Sequence, residues 1–150
     1  MQVERYFTSE KKSAYGDIEF QKTNSEIRNP DGSVVFELSN IEVPANWSQV
    51  ASDVLAQKYF RKAGIPIHLT KVKEEGVPSF LWRSIADEEK LSSMPEQERY
   101  VGETSCKQVF DRLAGAWTYW GWKGGYFSSE SGAQAYYDEM RFMLANQMGA

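Results

Sequence analysis

The chain has 150 residues, of which 41% are hydrophobic and 25% charged, with a formal net charge of −4. That size fits one ordinary domain or part of a larger one, and the near-average composition excludes general disorder and fibrous repeats. The acidic balance offers no field for a phosphate backbone, no apolar run approaches the roughly 20 residues of a membrane span, and Met1-Gln2-Val3-Glu4-Arg5 does not open a signal peptide. A cytoplasmic protein without membrane or nucleic-acid partners is therefore expected.

Residues 1–14 carry Thr8, Ser9, Glu10, Lys11, Lys12 and Ser13 with little apolar content, the composition of a mobile N-terminal arm that orders only against something else. Residues 15–150 are expected to form one unit. In it, Ile18 and Phe20 alternate with polar neighbours, as do Val34, Phe36 and Leu38, and Asn29-Pro30-Asp31-Gly32 lies between them. This pattern predicts a β-hairpin, because proline presets φ at the first turn position and Gly32 tolerates positive φ.

Pro44 ends the extended stretch. Asn46, three residues before Gln49, predicts a cap for a helix over 47–62, with Val50, Ala51, Val54, Leu55 and Tyr59 on its apolar face. Gly64 and Pro66 stop it, and Lys58, Arg61 and Lys62 fall in its last turns, where cations suit the negative end of the helix dipole. Residues 65–103, with Pro66, Pro78 and Pro95, lack sustained periodicity and read as a polar connector with short helices near 79–84 and 87–91. Ser105 and Gln108 form a capping-box pattern for a helix over about 104–121, with Val109, Phe110, Leu113, Ala116, Trp117 and Trp120 inward and Gly121, Gly124 and Gly125 ending it. Ser128 or Ser129 then caps a third helix, with Ala133, Tyr136, Tyr137, Met140, Met143, Leu144 and Gln147 on one side. The expected fold is mainly α with a β-hairpin, in the α+β class.

Candidate chemistry is sparse. Cys106 is the one thiol and His68 the one imidazole, so no disulfide and no Cys/His metal set is available within the chain. A first-turn helical cysteine can be a nucleophile, but His68 lies far away along the chain, and a catalytic pair is disfavoured. Glu74-Glu75, Asp87-Glu88-Glu89 and Glu96/Glu98 sit in polar runs that read as solvated faces. Gly121-Trp122-Lys123-Gly124-Gly125 lacks the Gly-Lys-Ser/Thr ending of a phosphate loop and follows a helix instead of a strand. Two readings stay open for Lys58, Arg61 and Lys62: a contact for a phosphate or a partner, or ordinary basic residues at a helix end, the latter favoured. Trp117, Tyr119, Trp120, Trp122, Tyr126 and Phe127 could stack bases if exposed, but core packing is favoured. The residues themselves define no catalytic site.

The wording of several segments carries more. Arg5-Tyr6-Phe7-Thr8, Val34-Val35-Phe36-Glu37, Trp47-Ser48-Gln49, Leu55-Ala56-Gln57-Lys58-Tyr59-Phe60-Arg61-Lys62-Ala63-Gly64, Arg112-Leu113-Ala114-Gly115 and above all Trp117-Thr118-Tyr119-Trp120-Gly121-Trp122-Lys123-Gly124-Gly125-Tyr126-Phe127 resemble the opening of the longer adenosylcobalamin-dependent (class II) ribonucleotide reductases. The resemblance runs from about residue 5 to 148. It implies an N-terminal helical segment preceding a ten-stranded α/β barrel, itself absent here, in which cobalamin generates a thiyl radical and a cysteine pair reduces ribonucleotides. The implied partners are that barrel and, through the parent enzyme, ribonucleotide substrate and nucleotide effector. Cys106 matches no family catalytic cysteine, so the segment alone is expected to need no cofactor and to be inactive. The abrupt Met148-Gly149-Ala150 finish is expected of a chain that continues elsewhere. The alternatives are a free-standing nucleotide-binding or protein-interaction module, or one half of a split reductase.

Overall fold

The computed structural model describes residues 1–148; the last two positions of the expected 15–150 unit lie outside the described residues. Strand β1 (Phe20–Arg28) pairs antiparallel with β2 (Val34–Pro44) around the expected turn. Gly32 sits at φ +86° with its amide on the Asn29 carbonyl at 2.9 Å, and Asp31 accepts from the Ser33 amide at 2.8 Å. A bulge interrupts the register between Thr23 and Ser25, with Asn40 at φ 57° and its amide held by Asn24 Oδ1 at 2.8 Å. Below the bulge Ile41 and Val43 enter the core, whereas Ile27, Val34 and Val35 near the tip stay exposed. Among the described residues the hydrophobic core gathers at the base of the hairpin, which leaves these tip side chains to solvent.

Helix α1 (Gln49–Val54) is capped by Ser48, whose Oγ accepts from the Ala51 amide at 3.2 Å, and not by Asn46. It continues as a π-helical turn, Leu55–Tyr59, and stops there, because Phe60 is extended while its amide still reaches the Leu55 carbonyl at 3.2 Å. The expected helix to residue 62 is thus shortened, and Arg61 and Lys62 lie beyond it. Its inward face also differs from expectation: Ser52, Leu55, Ala56 and Phe60 are buried, and Val50, Val54 and Tyr59 are exposed. Ser52 can be inside because its hydroxyl donates to the Ser48 carbonyl at 3.1 Å.

The connector holds more strand than the sequence pattern predicts. β3 (Ile65–Pro66) and β4 (Leu69–Lys71) are followed by a 3-10 turn at Ser79–Leu81, β5 (Ser84–Ala86), α2 (Glu88–Ser92) capped by Asp87, a second 3-10 turn at Glu96–Glu98, and β6 (Tyr100–Val101). β4 pairs with β5 and β3 with β6, both antiparallel. Strands of two or three residues are too short to show alternation, which is why they escape a periodicity reading.

Helix α3 (Cys106–Lys123) starts at the expected capping box, with Gln108 Oε1 accepting from the Ser105 amide at 3.0 Å. It runs through Gly121, which does not break it. A Cβ there would meet the Phe127 ring at 2.6 Å, so the glycine serves close packing. Helix α4 (Glu130–Ala145) is capped by Ser129 and leaves Gln147 outside at φ 54°. The core gathers Tyr15, Ile41, Val43, Leu55, Phe60, Val109 and Phe110, and Trp47 closes its edge by donating to the Ala145 carbonyl at 2.8 Å. Among the described residues the fold is mixed α+β, with four α-helices and three two-stranded antiparallel sheets.

The first residues lie along α4. The Met1 ammonium donates to the Tyr126 carbonyl at 2.6 Å, Arg5 pairs with Asp138 at 2.7 Å, and Phe7 stacks on Phe142 at 5.1 Å between centroids. Glu139 accepts from the Thr8 hydroxyl at 2.6 Å and from the Phe7 and Thr8 amides at 3.1 and 2.9 Å. Asp138 and Glu139 are therefore buried on the helix side that the sequence pattern left polar.

Candidate functional site

The connector is pinned to the helices at two places. At one, Glu74 accepts from the Tyr119 hydroxyl at 3.0 Å and from Lys123 at 2.9 Å, Trp122 Nε1 donates to the Gly76 carbonyl at 2.7 Å, and the Phe80 ring lies 5.7 Å from that of Tyr137. The Lys123 contact leads in holding the Glu74 carboxyl below the usual carboxylate range, against the opposing effect of burial. Glu74 is therefore a half-buried bridge and not part of a solvated face.

At the other place, Glu103 is only 3% exposed. It accepts from the Arg112 Nε at 3.0 Å and the Arg61 amide at 2.9 Å, while its own amide donates to the Arg61 carbonyl at 2.8 Å. Arg112 also caps the free Tyr59 carbonyl at the end of the π turn. Gly102 is required beside this junction, since a Cβ would meet the Lys62 carbonyl oxygen at 2.7 Å. No sequence signal marks Glu103; its burial follows from partners elsewhere in the chain.

Between these two anchors the β4–β5 hairpin spans α3 and leaves a cleft of about 880 Å³. Gly115 and Ala116 form part of its lining on α3, opposite Leu69 and Ile85, with Trp82 and Trp120 at its aromatic side. Trp120 is 65% exposed, contrary to its expected place on the buried helix face. Arg61, Lys71 and Arg83 line the cleft as well.

The three cations singled out in the sequence separate. Arg61 faces this cleft, and Lys58 is exposed outside its lining. Lys62 turns back to the Ala56 carbonyl and sits 4.6 Å from the centroid of the Phe36 ring. The favourable cation at the helix end thus comes from Lys62 and Arg112, reaching in from outside the helix. Burial pushes the Lys62 ammonium below its usual range, with Glu103 acting the other way.

A second charged cluster joins the arm to both long helices. Asp138 takes Arg5 and Arg141, the latter at 2.6 Å, while Asp111 takes Arg141 at 3.1 Å and the Tyr15 hydroxyl at 2.7 Å. The guanidinium of Arg141 also lies 4.1 Å from the Tyr137 ring centroid. Every charged member has an opposite partner, which marks the cluster as a cross-brace.

Cys106 is 0% exposed. Burial, followed by the nearby Glu42 carboxylate, pushes its thiol up to about 12. His68 is exposed in the link between β3 and β4, its carbonyl taking the Asp87 amide at 3.0 Å. Among the described residues no three His, Cys, Asp or Glu side chains gather where a metal could be held.

Comparison with known proteins places the chain in a family. The sequence model described as "Class II vitamin B12-dependent ribonucleotide reductase" matches residues 21–147. The chain is 68% identical over 150 residues to the vitamin B12-dependent ribonucleotide reductase of Bradyrhizobium diazoefficiens, covering all of this chain and 12% of that protein. It is 64% identical over 147 residues to the protein of the same name from Agrobacterium fabrum, covering 98% of this chain and 12% of that one. A more distant relative of that name, from Rhodopirellula baltica, is 27% identical over 124 residues. The chain belongs to the class II vitamin B12-dependent ribonucleotide reductases, as an N-terminal segment of that family. It spans 12% of the length of the two most similar relatives described here.

The described residues do not fit the cofactor those names imply. A thiyl-forming site needs an accessible thiol, and Cys106 is sealed in the core; an imidazole ligand would have to be the remote, surface-lying His68.

Proposed function

We propose that this segment is a non-catalytic support within an adenosylcobalamin-dependent reductase that converts ribonucleotides to deoxyribonucleotides for DNA synthesis in the cytoplasm. In this reading it precedes the ten-stranded barrel, which binds cobalamin, substrate and effector. Among the described residues no helix is long and apolar enough to cross a membrane. The burial of Cys106 carries the reading: the sole thiol is 0% exposed, out of reach of a cofactor or substrate, and the same burial, which pushes it up to about 12, leaves it too little thiolate to serve as a reductant by disulfide exchange. The 150-residue chain given adenosylcobalamin, a ribonucleoside di- or triphosphate and a dithiol should form no deoxyribonucleotide. Turnover by the segment would overturn the assignment.

One observation favours a second reading. Arg61 shares the cleft with Trp82 and Trp120, a pairing that could take a nucleotide through phosphate and base. Titration with ATP and dNTPs, followed by tryptophan fluorescence, separates the two. A saturable change supports nucleotide binding, and a flat response supports the structural role.

A further inference from the structure

We propose that the cleft between the β4–β5 hairpin and α3 is a docking groove for a segment of the longer reductase chain, apolar at its centre and acidic at its flank. This rests on the reading of the chain as a piece of a larger reductase, which the 12% share of its relatives' length supports.

The apolar half of the argument is uncovered surface. Leu69, Ile85 and Trp120 are 50%, 44% and 65% exposed, and all three line one concavity with Gly115 and Ala116. Scattered exposed apolar residues need no explanation, but several facing a common cleft mark an interaction site. The β4–β5 ladder is lengthened at both ends, by the Val72 amide on the Arg83 carbonyl at 2.9 Å and the Asp87 amide on the His68 carbonyl at 3.0 Å, which joins the two strands into one wall of the groove.

The charge half selects the occupant. The three carboxylates of the lining are already engaged: Glu74 with Lys123, Glu103 with Arg112, and Asp111 with Arg141. Arg61 and Arg83 take part in none of these ion pairs, though Arg83 lies near enough to Glu74 to favour its charged form, and Lys71 donates only to the Trp82 carbonyl, at 3.1 Å. The cleft therefore carries unmatched positive charge on a chain whose net charge is −4. Acidic side chains complement it, whereas a nucleotide phosphate lacks a cradle: the glycine pair Gly124-Gly125 lies at the C-terminal end of α3, where carbonyls point outward.

The test uses the full-length reductase with p-benzoyl-phenylalanine replacing Ile85 and, separately, replacing Val50, which is 72% exposed and outside the cleft. After irradiation, peptide mass spectrometry should show the Ile85 probe coupled within one polypeptide to a single acidic segment beyond these 150 residues, and the Val50 probe not coupled to it. Arg61→Glu combined with Arg83→Glu should abolish that coupling while the far-UV circular dichroism is retained. An Ile85 probe that reacts with no peptide, that joins a second copy, or that is shielded by ATP or a dNTP would overturn the proposal. Ribonucleotide reduction by the same preparation with adenosylcobalamin tests the parent reading separately. Turnover without the cross-link removes only the docking groove, and a cross-linked but inactive enzyme removes only the assigned activity.

Discussion

Glu103 and Arg112 meet at 3.0 Å, and through them the end of the π turn, the β6 strand and α3 become one rigid junction. The carboxylate side chain is 4% exposed and the guanidinium 29%. Removing the arginine leaves a buried charge with one amide donor, so Arg112→Leu should destabilise the chain by about 2–4 kcal/mol, somewhat below the cost for a fully buried pair. Glu103→Gln, which keeps an acceptor for Arg61, should cost about 1–2 kcal/mol. In urea denaturation the double variant should lose less than the sum of the two. Additive losses would show that the pair is not coupled.

The Glu139 carboxylate predicts how the arm responds to acid. Burial pushes its pKa up, but hydrogen bonds from the Thr8 hydroxyl and from the Phe7 and Thr8 amides outweigh that and hold it below the ordinary carboxylate range. A depressed folded pKa contributes stability that is present above the unfolded value, about 4.3, and is lost as pH falls through the folded one. Corrected for the intrinsic rate at each pH, the hydrogen-exchange protection of the Phe7 and Thr8 amides should therefore be high at neutral pH and fall steeply below about pH 4. Glu139→Gln should remove this acid dependence and weaken arm docking by about 1–2 kcal/mol. Amides that show no protection at neutral pH would contradict the docked geometry.

Sequence pattern reached the features whose cause is local. Gly32 in the hairpin turn, the Ser105–Gln108 box and the Ser129 cap each depend on residues within four positions, and each is found. What pattern missed depends on distant partners. Val50 and Val54 look inward-facing until the π turn and the extended Phe60 fix which side of α1 meets the core. The β3–β6 pair joins Ile65 to Val101, and neither strand is long enough to alternate. At the candidate site Arg61 was legible as a cation, but its cleft was not, because the walls come from β4, β5 and α3 together. Glu103 and Glu139 carry no signal in the sequence because nothing adjacent announces Arg112 or the arm.

Cys106 should behave as a core side chain. With its thiol held at about 12 by burial, and its surface sealed, it should resist a disulfide-exchange reagent in the native chain and react fully in denaturant. The raised folded pKa adds stability that is complete below the unfolded value near 8.5 and declines as pH rises toward the folded one. Cys106→Ala should retain that native fold at pH 7 with a loss of about 1–2 kcal/mol and abolish the alkaline decline. Rapid labelling of the native thiol would place it outside the core.

Two tryptophans distinguish packing from docking. Trp47 donates to the Ala145 carbonyl at 2.8 Å and its ring lies 5.9 Å from that of Phe110, so Trp47→Ala opens the core edge and leaves an acceptor unpaired. A loss of about 2–4 kcal/mol is expected in urea denaturation of the isolated chain. Trp120, at 65% exposure, has little to lose there, and Trp120→Ala should stay within about 0.5 kcal/mol of the parent. The order of these effects follows from where each indole lies, since both residues occur in the same aromatic-rich sequence and hydrophobicity alone ranks them equally. A loss at Trp120 as large as that at Trp47 would put its ring in the core and take away the aromatic wall of the cleft.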